Sequence, residues 1–275
     1  MLPTIRLIAL DLDDTLLDAD KRLPPENLAA LERAHRAGAY IVPATGRYFA
    51  AIPEIIRALP FLRYAITING ARVSNADESE LLYAADLPLA QAIELMRWLD
   101  TMPVIYDCYM DSVGWMTESM QRRAEEFSTD PNYLRMMREL RTPVPELKAF
   151  IAEKGRDIQK VQFFTNDFEL RAEVLRTCAD RFPGTVASSE WYKNVEINHA
   201  DATKGKALLA LCRALDIDPS EVLAFGDGLN DISMLRAAGT GIAMGNASDE
   251  VKAAADLVAP DCDHAGVAEI LNRFF

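Results

Sequence analysis

Ile5-Arg6-Leu7-Ile8-Ala9-Leu10 runs straight into Asp11-Leu12-Asp13-Asp14-Thr15. A short apolar run that stops at a group of acids reads as a strand buried on both faces of a parallel sheet. Far downstream, Val222-Leu223-Ala224-Phe225 leads into Gly226-Asp227-Gly228-Leu229-Asn230-Asp231 in the same manner. Both acidic clusters therefore belong at carboxyl ends of strands, where open α/β sheets bind ligands. Like charges gathered in one crevice repel, and each raises the pKa of the others. A hard divalent cation relieves that repulsion, and oxygen ligands with a phosphate beside them suit Mg²⁺. The two clusters thus point to a Mg²⁺ site that handles a phosphorylated ligand.

The flanking sequence alternates strand and helix patterns. Residues 24–37 have helical spacing, with Leu28, Leu31 and Ala34 on one face and Gly38 as a stop. Residues 40–44 read as a strand that delivers Thr45-Gly46-Arg47, residues 49–59 as a second helix, and residues 64–68 as a third strand ending in a turn at Asn69-Gly70. This order calls for a doubly wound parallel sheet with right-handed crossovers. Residues 83–188 differ: helices at 89–99 and 168–182, short strands at 103–107 and 160–164, and no comparable acid cluster. They read as an inserted α+β domain. From Asn194-Val195-Glu196-Ile197 the alternation resumes, with a helix at 207–215, strands at 222–225 and 241–243, and helices at 232–238 and 267–274. The expected division is a core of residues 1–82 and 189–275 around an insertion at 83–188.

Half of the 275 residues are hydrophobic, enough for a large core and against disorder. The formal net charge of −13 argues against a nucleic-acid or anionic-membrane surface, which needs a basic face. An anionic substrate must then be captured by a local positive site. Cys108, Cys178, Cys212 and Cys262 form no CxxC pair and read as free thiols of an intracellular protein. No leader pattern and no apolar run of membrane-spanning length is present, so a cytoplasmic location is expected.

Phosphoryl transfer requires a nucleophile, a proton donor for the leaving group and cations around the equatorial oxygens. Asp11 and Asp13 sit two apart on an extended end, so one can attack phosphorus while the other handles the proton. The hydroxyl of Thr45 and exposed amides at Gly46 suit a phosphate oxygen, or Thr45 simply caps the next helix. Lys204 at a helix start opposes the dipole unless an anion is near, or it is a solvated surface lysine. Asp227 and Asp231 flank glycine and Asn230 in a loop able to close on a cation, or in an ordinary Asp-Gly turn.

Together, DLDDTLL (residues 11–17), ATGR (44–47), NG (69–70), TKGKAL (203–208), GDGLNDISML (226–235) and AMGNA (243–247) resemble the haloacid dehalogenase-like superfamily, and within it the Cof-type phosphatases. The resemblance covers roughly the first 80 and last 85 residues. It implies a Rossmann-like core and an inserted type-2 cap covering the carboxyl ends of the strands. By position it makes Asp11 the nucleophile that forms an aspartyl-phosphate and Asp13 the acid and then base. Thr45, Gly46, Lys204 and Asn230 match phosphate-binding positions. Asp11, the backbone carbonyl of Asp13, Asp227 and Asp231 match the Mg²⁺ site, Asp231 directly or through water. Relatives that displace halide lack a carboxylate at the position of Asp13, so its presence implies phosphate-ester chemistry. Asp107, Tyr109, Asp111, Trp115 and Arg122 are candidate specificity residues in the insertion, with Trp191, Tyr192 and His199 near its return.

The leading expectation is a Mg²⁺-dependent hydrolase of small phosphorylated metabolites, such as sugar phosphates or phosphorylated cofactor intermediates. The alternatives are a phosphomutase or dedicated sugar-phosphate phosphatase of a neighbouring branch, or a catalytically silent regulatory relative. Intact Asp11, Asp13, Lys204 and Asp227 speak against the last.

Overall fold

The computed structural model describes residues 4–189 and 191–275. It divides into two compact units, one made of the chain up to Ala84 with Ala202–Phe275, the other of Ala85–Asp201. In the first unit five parallel strands run in the order Leu257–Val258, Thr240–Ala243, Val222–Gly226, Leu7–Leu10 and Tyr40–Pro43. The acid-bearing strands are neighbours: Leu7 pairs with Val222 and Leu10 with Phe225.

Alternation along these strands explains the two helix layers. Ile8, Leu10, Leu223 and Phe225 pack with Ala30, Leu31 and Ala34 of the helix Pro25–Arg36 and with Val267 and Ile270 of the helix Gly266–Leu271. Leu7, Ala9, Val222 and Ala224 point the opposite way, against Leu208 and Leu211 of Lys204–Leu215 and Met234 and Leu235 of Ile232–Ala237. Both faces are covered, so Leu7–Leu10 and Val222–Gly226 carry no polar side chain, and the sheet is doubly wound.

Within this unit the second helix and the third strand differ from the sequence reading. The helix expected at 49–59 is a short turn, Phe49–Ala51, and a helix Glu54–Arg57. Pro53 divides them, since proline lacks an amide donor and restricts the residue before it. The third strand, Tyr64–Thr67, meets the parallel sheet through an isolated bridge from Ala44 to Ile66, with a second bridge from Ile41 to Leu62 just before it. Its full partner is the antiparallel strand Arg72–Asn75, followed by Leu81–Ala84.

The second unit is a six-stranded sheet in the order Thr185–Ser188, Asn194–His199, Lys160–Phe164, Ile105–Met110, Val113–Thr117 and Thr142–Val144. All pairs are antiparallel except the last. The strand Asn194–His199, which the sequence reading returned to the core, is hydrogen-bonded here between two strands of the insertion. The first unit therefore resumes at Ala202, not at 189. One face of this sheet packs on the helices Leu89–Leu99, Leu147–Lys154 and Phe168–Arg181. The four cysteines are free and buried. Among the described residues no helix is long and apolar enough to cross a membrane.

Candidate active site

The candidate site belongs to the first unit and grows from the ends of adjacent strands. The Asp11 amide donates to the Phe225 carbonyl (3.0 Å), which seats Asp11 beside the loop that begins at Gly226. On the other side the Ala44 amide donates to the Leu10 carbonyl (2.7 Å), so Thr45 leaves the sheet next to Asp11. The helix Lys204–Leu215 contributes its first residue, and the Thr203 hydroxyl caps it by accepting from the Lys206 amide (3.2 Å).

Lys204 is completely buried, and its Nζ donates to Asp11 Oδ1 and to Asp231 Oδ1, both at 2.6 Å. A lysine buried without counter-charges would lose its proton; here two carboxylates hold it. The other oxygen of Asp231 accepts from the amides of Asp227 (3.0 Å) and Gly228 (2.9 Å), which closes the loop on itself. Gly226 permits that closure, since a Cβ there would collide with the Asp231 side chain. Asp227 Oδ1 accepts from the Thr15 hydroxyl (2.6 Å), a direct tie between the two acidic clusters.

Asp11, Asp227 and Asp231 each offer an oxygen within 4.8 Å of the others. Burial pushes the Asp11 carboxyl well above its ordinary range; Lys204 pulls it back, while Asp231 and Asp227 add to the rise. Asp227 is pushed up to about 7, first by burial, against the pull of the Thr15 hydrogen bond and with added repulsion from Asp231 and Asp14. Three crowded carboxylates share one lysine. This hard, all-oxygen donor set fits a divalent cation such as Mg²⁺.

Asp13 is directed elsewhere. It is extended (φ −72°, ψ 124°), and Asp14 then turns into the left-handed region (φ 61°). The Asp13 carboxylate receives a two-pronged ion pair from Arg47, Nε to Oδ2 at 2.8 Å and Nη2 to Oδ1 at 3.0 Å, with Lys21 Nζ at 3.6 Å. Burial alone would raise its pKa, but Arg47 and Lys21 outweigh burial and hold it below the usual carboxylate range. Thr45 is buried, and its hydroxyl accepts from the Arg47 amide (3.2 Å). Gly46, beside it, is buried as well. Asn230 donates through Nδ2 to Asn69 Oδ1 (3.3 Å). Sequence reasoning assigned Arg47 no firm role and treated Asn69 as a turn residue. Nothing in the local strings announces either contact, because each partner arrives from another strand end.

The candidate specificity residues lie in the second unit. Asp107 is buried and accepts from Arg141 Nε and Gln162 Nε2, both at 2.8 Å. Arg141 Nη2 also donates to the Tyr109 hydroxyl (2.9 Å). The Trp115 indole donates to the Met110 carbonyl (3.1 Å), and Trp191 stacks on Tyr133. Asp111 pairs with Arg156, and Arg122 with Glu118, at the surface. Tyr192 is exposed, and His199 Nδ1 accepts from the Asp201 amide (3.1 Å).

A family model for haloacid dehalogenase-like hydrolases matches residues 8–271. The chain is 32% identical to the pyridoxal phosphate phosphatase YbhA of Escherichia coli (strain K12), over 98% of each chain. It is 30% identical to an HMP-PP phosphatase of Serratia proteamaculans (strain 568), over 98% of this chain and 95% of that one. Among solved structures it resembles a haloacid dehalogenase-like hydrolase from B. subtilis with a TM-score of 0.83 and 28% identity, over 98% of this chain and 100% of the other. With its parallel-sheet core and inserted α+β unit, the chain belongs to the haloacid dehalogenase-like hydrolases, as a phosphatase of the Cof type.

Proposed function

We propose that the protein is a Mg²⁺-dependent phosphatase that hydrolyses small phosphorylated metabolites through an aspartyl-phosphate on Asp11. The observation that carries this reading is the buried cluster of Asp11, Asp227, Asp231 and Lys204 at adjoining strand ends. Asp11 Oδ attacks phosphorus, the ester P–O bond breaks, and the departing alkoxide takes a proton from Asp13, which must carry one in the substrate complex against the pull of Arg47 and Lys21. Asp13, now a carboxylate, removes a proton from water; that water attacks phosphorus and frees Asp11 and inorganic phosphate. Lys204, Thr45, Asn230 and the amides near Gly46 hold the phosphoryl oxygens. Asp11, Asp227 and the Asp13 carbonyl would hold Mg²⁺, which supplies charge neutralisation at those oxygens. Asp231, the third acid of the cluster, would join them directly or through water while its oxygens also support the loop and Lys204.

The relatives named for pyridoxal phosphate and HMP-PP direct the substrate reading toward phosphorylated cofactors and their intermediates. Specificity is assigned to the inserted unit, Ala85–Asp201. Four free thiols suit a reducing, cytoplasmic compartment. The test is phosphate release with Mg²⁺ over a panel of sugar phosphates, pyridoxal 5′-phosphate and aryl phosphates, using the wild type and Asp11→Asn. Release from at least one ester by the wild type alone is expected. No release from any ester, or equal activity in Asp11→Asn, overturns the reading.

A further inference from the structure

The turn Ile68–Gly70 lies between every loop to which phosphate binding is assigned, yet no part of the reaction uses it. Its backbone is held in an unfavourable form: Ile68 (φ 54°), Asn69 (φ 58°) and Gly70 (φ 95°) lie consecutively in the left-handed region. For the β-branched Ile68 this conformation is an outlier, and three such residues in a row persist only where their surroundings enforce it.

Three sets of contacts do so. The Ile68 amide donates to the Arg47 carbonyl (3.0 Å) and the Asn69 amide to the Thr45 carbonyl (3.1 Å), which fastens the turn to the Thr45-Gly46-Arg47 loop. Gly70 lies against the start of the lysine-bearing helix: a Cβ added there would collide with the Thr203 carbonyl and stand 2.8 Å from the Lys204 amide nitrogen. The Asn69 side chain accepts from Asn230 Nδ2 (3.3 Å), in the loop that also carries Asp227 and Asp231. One turn thereby touches the Thr45 loop, the Lys204 helix start and the Asn230 loop. These segments are distant in sequence and supply the phosphate ligands.

We infer that Asn69 and Gly70 are positioning residues: they set Asn230 and Lys204 in register with Thr45, and so tune the grip on the phosphoryl group. This inference rests on the phosphatase reading. Asparagine suits position 69 because it tolerates the left-handed region and still offers an acceptor. Glycine suits position 70 because it alone combines positive φ with so close a backbone approach.

Two substitutions separate the contacts. Asn69→Gly keeps the left-handed backbone accessible and removes the side chain, with it the acceptor that meets Asn230. Gly70→Ala inserts the methyl that meets Thr203. The readouts are KM and kcat, the competitive inhibition constant of inorganic phosphate, and the melting temperature. For Asn69→Gly we expect KM and the phosphate inhibition constant to rise together by about five- to tenfold, the range of one neutral hydrogen bond. Asn230→Ala, which also loses its own hold on phosphate, should raise both constants at least as much, and the double variant no more than Asn230→Ala alone, because Asn69 acts through Asn230. Gly70→Ala, which displaces Lys204, should weaken phosphate inhibition and also lower kcat, by about tenfold or more. The inference is overturned by wild-type phosphate inhibition in Asn69→Gly, or by independent, multiplying effects of Asn69→Gly and Asn230→Ala. A fall in melting temperature with unchanged kinetic constants overturns it too, as that would mark a purely structural turn. Failure of the phosphatase reading looks different: the wild type itself would release no phosphate.

Discussion

Lys204 Nζ stands 2.6 Å from Asp11 Oδ1 with its side chain wholly buried. Breaking a buried pair leaves an uncompensated charge, which costs about 3–5 kcal/mol. Lys204→Met should therefore lower both stability and turnover, turnover by about 10²–10³-fold as for loss of one preorganised cation or donor. Without the lysine, Asp11 lies buried beside Asp231 with no counter-charge, and protonation of Asp11 relieves the repulsion. The stability deficit measured by urea unfolding should then be larger at pH 8 than at pH 5. A deficit independent of pH would show that Lys204 is not their counter-charge.

Asp13 offers a second handle. As the proposed leaving-group acid, it matters most when the alcohol is a poor leaving group. Asp13→Asn should slow hydrolysis of an alkyl phosphate far more than that of an activated aryl phosphate, by about 10²–10⁴-fold against a small factor. Equal losses on the two esters would remove Asp13 from the acid role. Arg47 enters the same prediction. It holds the Asp13 pKa down against burial, so Arg47→Gln should let that pKa rise. The pH profile for the alkyl ester would then extend to higher pH, because the protonated acid survives further. An unshifted profile would assign Arg47 to structure alone.

The grouping of Asp11, Asp227 and Lys204 was legible because each follows a recognisable strand end or opens a helix, and strand ends of one parallel sheet converge. The partners of Asp13 and Asn230 were not. Arg47 reaches Asp13 from the loop after a different strand, and Asn69 reaches Asn230 from the strained turn that begins at Ile68. Such contacts depend on side-chain direction, which neighbouring residues in sequence do not encode. The strand Asn194–His199 was assigned to the wrong sheet for a related reason. Its alternation of Asn194, Glu196 and Asn198 with Val195 and Ile197 is that of an antiparallel strand with one polar face, yet its polar residues are buried. Glu196 is paired there with Lys160 at 2.8 Å, a partner that the local sequence cannot disclose.

The second unit carries its own test in Asp107 and Arg141, both buried, with Nε 2.8 Å from Oδ2. Asp107→Leu strands a buried guanidinium and should cost about 3–5 kcal/mol. The double variant Asp107→Leu/Arg141→Met removes both charges and should recover most of that loss, because an apolar pair of similar volume is often neutral. Unfolding in guanidinium chloride with Trp98, Trp115 and Trp191 fluorescence would report it, since all three tryptophans belong to this unit. A double variant no more stable than Asp107→Leu would mean that packing around Arg141, not charge, dominates.

Metal binding should depend on pH in a defined direction. Asp227 in the metal-free fold is raised from 3.8 to about 7. A carboxylate whose folded pKa exceeds its unfolded one stabilises the fold below the unfolded value, and that contribution is lost as pH rises through the folded value. The metal-free protein should therefore lose stability between about pH 4 and pH 7 as Asp227 is forced to ionise beside Asp231. A cation must displace that same proton to bind. Apparent Mg²⁺ affinity, measured by titration calorimetry, should then rise with pH by about tenfold per pH unit or more below 7, because the raised Asp11 must ionise as well. The gain in melting temperature on adding Mg²⁺ should follow the same course, large at pH 8 and small at pH 5.5. Asp227→Asn has no proton to displace at that position and should bind weakly at every pH. Equal Mg²⁺ stabilisation of the wild type at both pH values would separate Asp227 from the metal and undo the proposed ligand set.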